Sequence, residues 1–459
     1  MSRKVFVIGL DCLDPSLVFD RWTDALPNMA SIIKGGFSAR LRSTDPPITI
    51  PAWISMLSGV SPGELGIYGF RNRENYTKTD LSVLDSRQVR YQRIWDILSE
   101  NGKQSVSIGV PPTYPVSPML GYMVSGILTP NPAAPQTYPK NLYQHLLNVS
   151  PQYQTDITEF RKQNRDDLIR DIYQVTEARF KWIRHMIQYY RWQFFIFVEM
   201  GIDRMQHAFW QFQANDSPYY QEDNPYRHTI YEYYRYIDQQ IGRLLKQMDD
   251  ETDVVLVSDH GAKTMQGGVA INQWFIENGL LALKNKPESV HCLTHEMIDW
   301  QNTIAWGEGG YYGRIFLNIR NREFNGTVAE DQVPHVINEI KDKLSRLTTE
   351  EGNVLNNQIF TPEELYSTVH GYPPDLMIYF DDLNYRAISQ VGTQSVVSRE
   401  TFGAPDGANH SFHGVFAIKG QHIKPQHVKE INILDVAPLI LHRMQIKQPA
   451  VMQRSAFEL

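Results

Sequence analysis

The sequence predicts an α/β fold with a doubly wound, mostly parallel central sheet, and three observations carry that reading. Short apolar runs at 5–10, 105–110, 194–198 and 254–257 have the length and unbroken character of strands buried on both faces. Longer stretches with helical patterning alternate with them, which implies helices on both sides of the sheet. Two of these runs lead into Asp or His, 5–10 into Asp11 and 254–257 into Asp259 and His260, and in such sheets ligands gather beyond the carboxyl ends of the strands.

Taken in order, 5–10 is the first strand. Pro51 suits the first turn of a helix running through Leu57. A helix at 91–101 precedes the strand at 105–110. The segment 111–139 holds so many prolines that it reads as a long surface excursion. Helix 165–190, strand 194–198, helix 229–248, strand 254–257 and helix 272–279 follow. Residues 281–400 read as an inserted α+β subdomain, with strands at 314–319 and 376–380 and a helix at 333–347. A late strand at 414–419 and a helix at 433–444 return to the core, which is expected to comprise 1–280 and 401–459.

Composition narrows the function. A chain of 459 residues with 42% hydrophobic and 21% charged residues is globular and long enough to bury a large core without staples. Its net charge of −7 gives no electrostatic reason to bind a nucleic acid polymer or an anionic membrane. Only Cys12 and Cys292 occur, which excludes a disulfide framework and a thiolate zinc cluster, so any metal must be held by His, Asp and Glu. The apolar run near the N-terminus is too short for a signal peptide core, and no stretch reaches the ~20 apolar residues of a membrane span. A soluble, cytoplasmic protein is expected.

The chemistry-bearing residues cluster at strand ends. Asp11 closes the first strand, where a lone Asp is more often a cap. Asp259 and His260 follow the strand at 254–257, and Gly261 frees the backbone behind them. Asp203 and His207 stand four apart, which on a helix puts both on one face for a shared ion, although an ion pair at that spacing needs no metal. His410 and His413 precede the late strand. Together these supply ligands for two divalent cations with N/O donors. Thr49 lies at the start of the Pro51 helix, where free backbone N–H groups favour an anion. A hydroxyl beside a divalent ion there can serve as a nucleophile, and it can equally be a helix cap. Trp53, Tyr68, Phe70, Phe209 and Trp210 read as packing, Lys263 and Arg204 as structural charges, and His291 and His295 as surface histidines without acidic partners.

In this order the segments Gly9-Leu-Asp11, Thr49-Ile-Pro51, Gly63-Glu-Leu-Gly-Ile67, Asp203-Arg-Met-Gln-His207, Ser258-Asp-His-Gly261 and Asn409-His410 resemble the alkaline phosphatase superfamily, closest to its nucleotide pyrophosphatase/phosphodiesterase branch. The resemblance spans nearly the whole chain and implies two metal sites bridged by phosphate. Asp11, Thr49, Asp259 and His260 would hold one ion, and Asp203, His207 and His410 the other, with His410 preferred over His413. It implies zinc, or manganese as in some branches, and a covalent phosphothreonine intermediate. Departures bear on the substrate. Thr49-Ile-Pro-Ala-Trp53 disfavours a sulfatase and lacks the diesterase Pro-Asn-His. The diesterase phosphate-binding Asn falls near Gly69, with Arg71 and Asn72 as candidates to reach the phosphate; Arg71 would suit the extra charge of a monoester, or it is a solvated loop arginine. The expected function is a two-metal phosphodiesterase or nucleotide pyrophosphatase acting on a small phosphate ester or nucleotide. The alternatives are a phosphomonoesterase or metal-dependent phosphomutase of the same superfamily, and a non-catalytic protein that keeps its metals for structure.

Overall fold

The computed structural model describes residues 3–77, 80–158, 160, 164–399 and 406–457. Nine strands build the central sheet: β1 (Lys4–Leu10), β2 (Phe37–Arg42), β3 (Ser105–Ile108), β4 (Gly121–Val124), β5 (Thr137–Tyr138), β6 (Phe194–Glu199), β7 (Thr252–Val257), β8 (His413–Lys419) and β9 (Gln426–Asn432). Their order is β9-β2-β8-β7-β1-β6-β3-β4-β5, so β1 is the middle strand. It runs parallel to β6, with Val5 opposite Phe194, and to β7, with Val5 opposite Asp253. β3 continues the parallel block to β4. Only β5 and β8 run against the rest. The expected mostly parallel α/β sheet is what forms.

Alternation along β1 shows why both faces are covered. Phe6, Ile8 and Leu10 enter one apolar layer with residues of α2 (Arg165–Tyr189), α3 (Gly201–Gln213) and α4 (Thr229–Leu245). Val5 and Val7 enter the opposite layer, with α1 (Thr49–Ser58) and a C-terminal helix, Val436–Arg443. A strand sandwiched this way must be apolar at every position, and its unbroken run is the consequence.

One expectation needs correction, and two strands go unforeseen. The proline-rich segment 111–139 is not all surface excursion: it holds β4 and β5 at one edge of the sheet, with Met123, Val124 and Ile127 buried. The four residues of β4 contain no proline, and Pro139 falls just after β5, where it removes no ladder donor. The strands β2 and β9 also escape a search for apolar runs, because β2 carries two arginines and β9 is a largely exposed, polar edge.

A second, four-stranded sheet orders Ala305–Glu308, Gly313–Leu317, Leu376–Tyr379 and Gln358–Phe360, with the helix Val333–Ser345 in the same region. Its own apolar core includes Trp306, Phe316, Ile340 and Leu376, and takes in Val269, Ile271 and Phe275 from before residue 281. The expected boundary between 400 and 401 lies outside the described residues. Among the described residues no helix is long and apolar enough to cross a membrane.

Candidate active site

Because β1, β6 and β7 are parallel neighbours, their carboxyl ends deliver side chains to one place. Asp11 follows β1, and its N–H donates to the carbonyl of Glu199 at the end of β6 (3.0 Å). Asp203 and His207 follow on α3, and Asp259 and His260 follow β7. A two-stranded ribbon of Gly261–Thr264 and Ala408–Ser411 sets His410 opposite Ala262. The His260 and His410 rings therefore stack at 3.7 Å and 17°. Thr49 opens α1, its Oγ1 3.4 Å from His260 Nε2.

All seven of these residues are buried. Asp11, Asp259 and His260 offer ligand atoms within 4.8 Å of one another, and so do Asp203, His260 and His410. His207 Nε2 lies 3.2 Å from both Asp203 Oδ1 and His410 Nε2. His260 thus stands between the two halves of the cluster. His413 lies apart, pairing with Glu430 at 2.6 Å on a more exposed surface.

The donor set fits divalent cations. Asp11 Oδ1, Asp203 Oδ1 and Asp259 Oδ2 are buried and make no hydrogen bond. Buried carboxylate oxygens that accept no hydrogen bond and face only imidazole nitrogens are costly unless a cation compensates them. Burial, reinforced by the charge of Asp203 on Asp11 and of Asp11 on Asp259, pushes the Asp11 and Asp259 carboxyls well up. Burial acts the same way on Asp203, but His207 and Arg204 outweigh it and hold that carboxyl well down. Burial lowers His260 to about 4 and depresses His410 as well, so both imidazoles are neutral and available as ligands. It opposes the charge on His207 too, but Tyr311, Asp406 and Asp203 prevail and raise it.

Surrounding groups that the sequence did not single out for this role aim the ligands. Trp53, read as packing, donates Nε1–H to Asp11 Oδ2 (2.8 Å). The Cys12 N–H donates to Asp259 Oδ1 (3.2 Å). Asp406 Oδ1 lies 2.7 Å from His207 Nδ1, and the Pro47 carbonyl takes His410 Nδ1 at 2.7 Å. Carboxylate and carbonyl partners on the second imidazole nitrogen fix the tautomer that frees Nε2. Tyr311 stacks on both His410 (4.2 Å) and His207 (5.0 Å). Asp406 lies four residues before His410, a proximity the sequence displays; Tyr311 carries no such signal.

Arg204 is held by Asp156 and Asp203 and Lys263 by Asp382, which fits their reading as structural charges. Asn72 spends its side chain on a turn: Oδ1 accepts from the Tyr68 N–H (2.7 Å) and Nδ2 donates to the Gly69 carbonyl (2.9 Å). Arg71 instead lines a cavity of about 830 Å³ that reaches the cluster at Ile48, beside Thr49, and at Tyr311. His295, expected to be a surface histidine without acidic partners, also lines it and lies between Asp80 (2.9 Å) and Glu308 (3.6 Å). Those partners are distant in sequence and invisible to a spacing argument.

A doubly wound sheet whose strand ends assemble Asp and His around a helix-starting hydroxyl is an alkaline-phosphatase-like α/β fold. The family model for type I phosphodiesterase / nucleotide pyrophosphatase matches residues 5–415, and the chain belongs to that family of phosphoric ester hydrolases. Among solved structures, human ectonucleotide pyrophosphatase / phosphodiesterase 5 superposes with a TM-score of 0.57 at 13% identity, covering 97% of this chain and 96% of that one. The murine protein gives 0.56 at 13% identity with the same coverage. An inactive murine variant in complex with AMP gives 0.56 at 12%, again covering 97% and 96%. At these identities the likeness shows the fold. No curated protein sequence matches the chain.

Proposed function

We propose that the chain is a two-metal phosphodiesterase or nucleotide pyrophosphatase that uses Thr49 as its nucleophile. The observation that carries this reading is the set of three buried carboxylate oxygens without hydrogen bonds, facing imidazole nitrogens beside the Thr49 hydroxyl. Asp11, Thr49, Asp259 and His260 would hold one divalent cation, and Asp203, His207 and His410 the other. Zinc suits the imidazole and carboxylate set, and manganese is the alternative. When bound, such ions lower the pKa of a hydroxyl and neutralise charge on reacting and leaving oxygens.

The protein's own groups supply the rest. The N-terminal N–H groups of α1 face the anion that Thr49 attacks. Thr49 Oγ attacks phosphorus in line, the ester oxygen opposite departs, and the retained half stays linked to Thr49 until water releases it. Trp53, Asp406 and the Pro47 carbonyl keep the ligands aimed while this happens. The segment 281–400 supplies Tyr311 and much of the cavity wall, and so shapes the substituent side of the site. A nucleotide-like substrate fits this reading, since the related inactive murine protein binds AMP.

The test compares a chromogenic phosphate diester with the corresponding monoester, on metal-reconstituted wild type and on Thr49→Ala. Diester cleavage that Thr49→Ala abolishes supports the reading. A monoester preference moves the protein to the phosphomonoesterase or phosphomutase branch. Bound metal with no turnover of either ester marks a non-catalytic metal protein.

A further inference from the structure

The large cavity stops short of the metal cluster. Asp11, Asp259 and His260 are 0% exposed, His410 is 1%, and Thr49, Asp203 and His207 are 2%. None of the seven lines the cavity, which borders them at Ile48 and Tyr311. An ion or a phosphate ester arriving from the cavity must therefore displace one of those two side chains. Ile48 is fixed, packed in an apolar cluster with Tyr68, Tyr312 and Met377. Tyr311 is only half-buried, at the tip 309–312 between the strands Ala305–Glu308 and Gly313–Leu317.

At that tip the backbone is pinned and the ring is not. The Gly310 N–H donates to the Ala387 carbonyl (2.9 Å), the Ala387 N–H to the Gly310 carbonyl (3.0 Å), and Asn409 Nδ2 to the Tyr311 carbonyl (3.1 Å). The ring is seated by its stacks on His410 and His207, at interplanar angles of 29° and 23°. Its hydroxyl reaches Asp406 Oδ2 only at 3.4 Å, a long and weak contact. The adjoining space of about 830 Å³ far exceeds a phenol ring. Rotation about the side-chain bonds can therefore take the ring off the imidazoles with the backbone in place.

We propose that Tyr311 is a side-chain gate over the metal cluster: seated on His410 and His207 it seals the cluster from the cavity, and swung into the cavity it admits the ion and the phosphate ester. The inference rests on the metal-centre part of the reading above, and goes beyond it by assigning the entry route and the residue that controls it. Two stacking contacts of ordinary strength favour the seated ring by roughly tenfold or more, and entry is slowed by the same factor.

The experiment uses the metal-free full chain and Co²⁺, whose d–d absorption reports its arrival among Asp and His ligands in a stopped-flow mixer. Tyr311→Ala is expected to take up Co²⁺ roughly tenfold faster than wild type, or more. Tyr311→Phe keeps the ring and is expected to stay within about threefold of wild type, the scale of one weak hydrogen bond. Uptake by Tyr311→Ala at the wild-type rate overturns the gate, and if that variant only releases Co²⁺ faster to a chelator, Tyr311 is a ligand-positioning group instead. Tyr311→Phe as fast as Tyr311→Ala also overturns it, since the bulk of the ring would then not be the barrier.

A second readout needs neither metal nor turnover. Diethyl pyrocarbonate acylates accessible imidazoles in the metal-free chain, and peptide mapping reads His207, His260 and His410 against the outlying His413. Tyr311→Ala is expected to speed modification of the first three roughly tenfold and to leave His413 unchanged. If no Co²⁺ binds but this dependence on Tyr311 appears, the metal-centre reading falls and the gate stands. Equal modification of the cluster histidines in wild type and Tyr311→Ala overturns the gate whatever the metal does.

Discussion

Replacing Arg179 by Met tests how the sheet end is held in shape for the site. Arg179 Nη1 donates to Glu199 Oε2 at 2.9 Å, with the side chains 1% and 0% exposed. Its Nη2 donates to the carbonyls of Thr155 (3.0 Å) and Gln154 (3.2 Å). Glu199 in turn accepts the Gly201 N–H at the start of α3 (2.8 Å), while its backbone carbonyl accepts the Asp11 N–H. Breaking a buried pair by removing one partner costs about 3–5 kcal/mol. The low end applies, because Glu199 Oε1 keeps its bonds from Gly201 and Thr176. Two carbonyls that lose a donor add roughly 1 kcal/mol each, and the apolar Met stem returns part of that. The expected loss is about 4 kcal/mol, read as a lowered urea midpoint followed by tryptophan fluorescence. Adding Glu199→Gln removes the orphaned charge and is expected to restore roughly half of the loss. A single-variant cost under about 1 kcal/mol, or a second substitution that deepens the loss, would refute the reasoning.

Four further outcomes follow from the site. Asp406→Asn removes the charge that steadies His207, and apparent metal affinity in chelator-buffered titrations should fall about 10–100-fold; unchanged affinity would show that Asp406 does not act through His207. Trp53→Phe leaves both Asp11 oxygens without a hydrogen bond, and metal retention should weaken by roughly tenfold, the equivalent of about 1.4 kcal/mol. His410→Ala should empty the site of metal, whereas His413→Ala breaks only an exposed pair with Glu430 and should cost at most about 1 kcal/mol of stability with metal content intact. Metal affinity should drop steeply as pH falls, with more than one proton taken up per ion released. In the metal-free protein Asp11, Asp259 and His207 are held above their usual ranges and regain protons first, while His260, at about 4, stays neutral. An affinity constant between about pH 8 and pH 6 would contradict that sign.

The parts of the fold legible in the sequence are those where burial leaves no choice. β1, β6 and β7 lie between two apolar layers, so their runs stand out, and the Asp residues at or after their ends could be found by looking past each run. What escaped is held by pairing rather than by burial. β2 spends arginines on its solvent side, β9 is a polar edge, and β4 is four residues long among prolines. The same division applies at the site. Asp11, Asp259 and His260 sit at strand tips and His207 one helical turn from Asp203, whereas Tyr311 and the Asp80–His295–Glu308 contact depend on how the second sheet docks, which no local spacing encodes. Trp53 was visible but looked like core; its indole N–H matters only because Asp11 lies beside it.

The central claim, Thr49 as covalent nucleophile in a metal-loaded site, is tested most directly by acid-quenching the enzyme during turnover of a diester and mapping its peptides by mass spectrometry. The account predicts the retained phosphoryl half attached to Thr49, and no such adduct in Thr49→Ala. Rapid turnover with Thr49 unmodified at every quench time, together with full activity in Thr49→Ala, would contradict it and assign the attack to water.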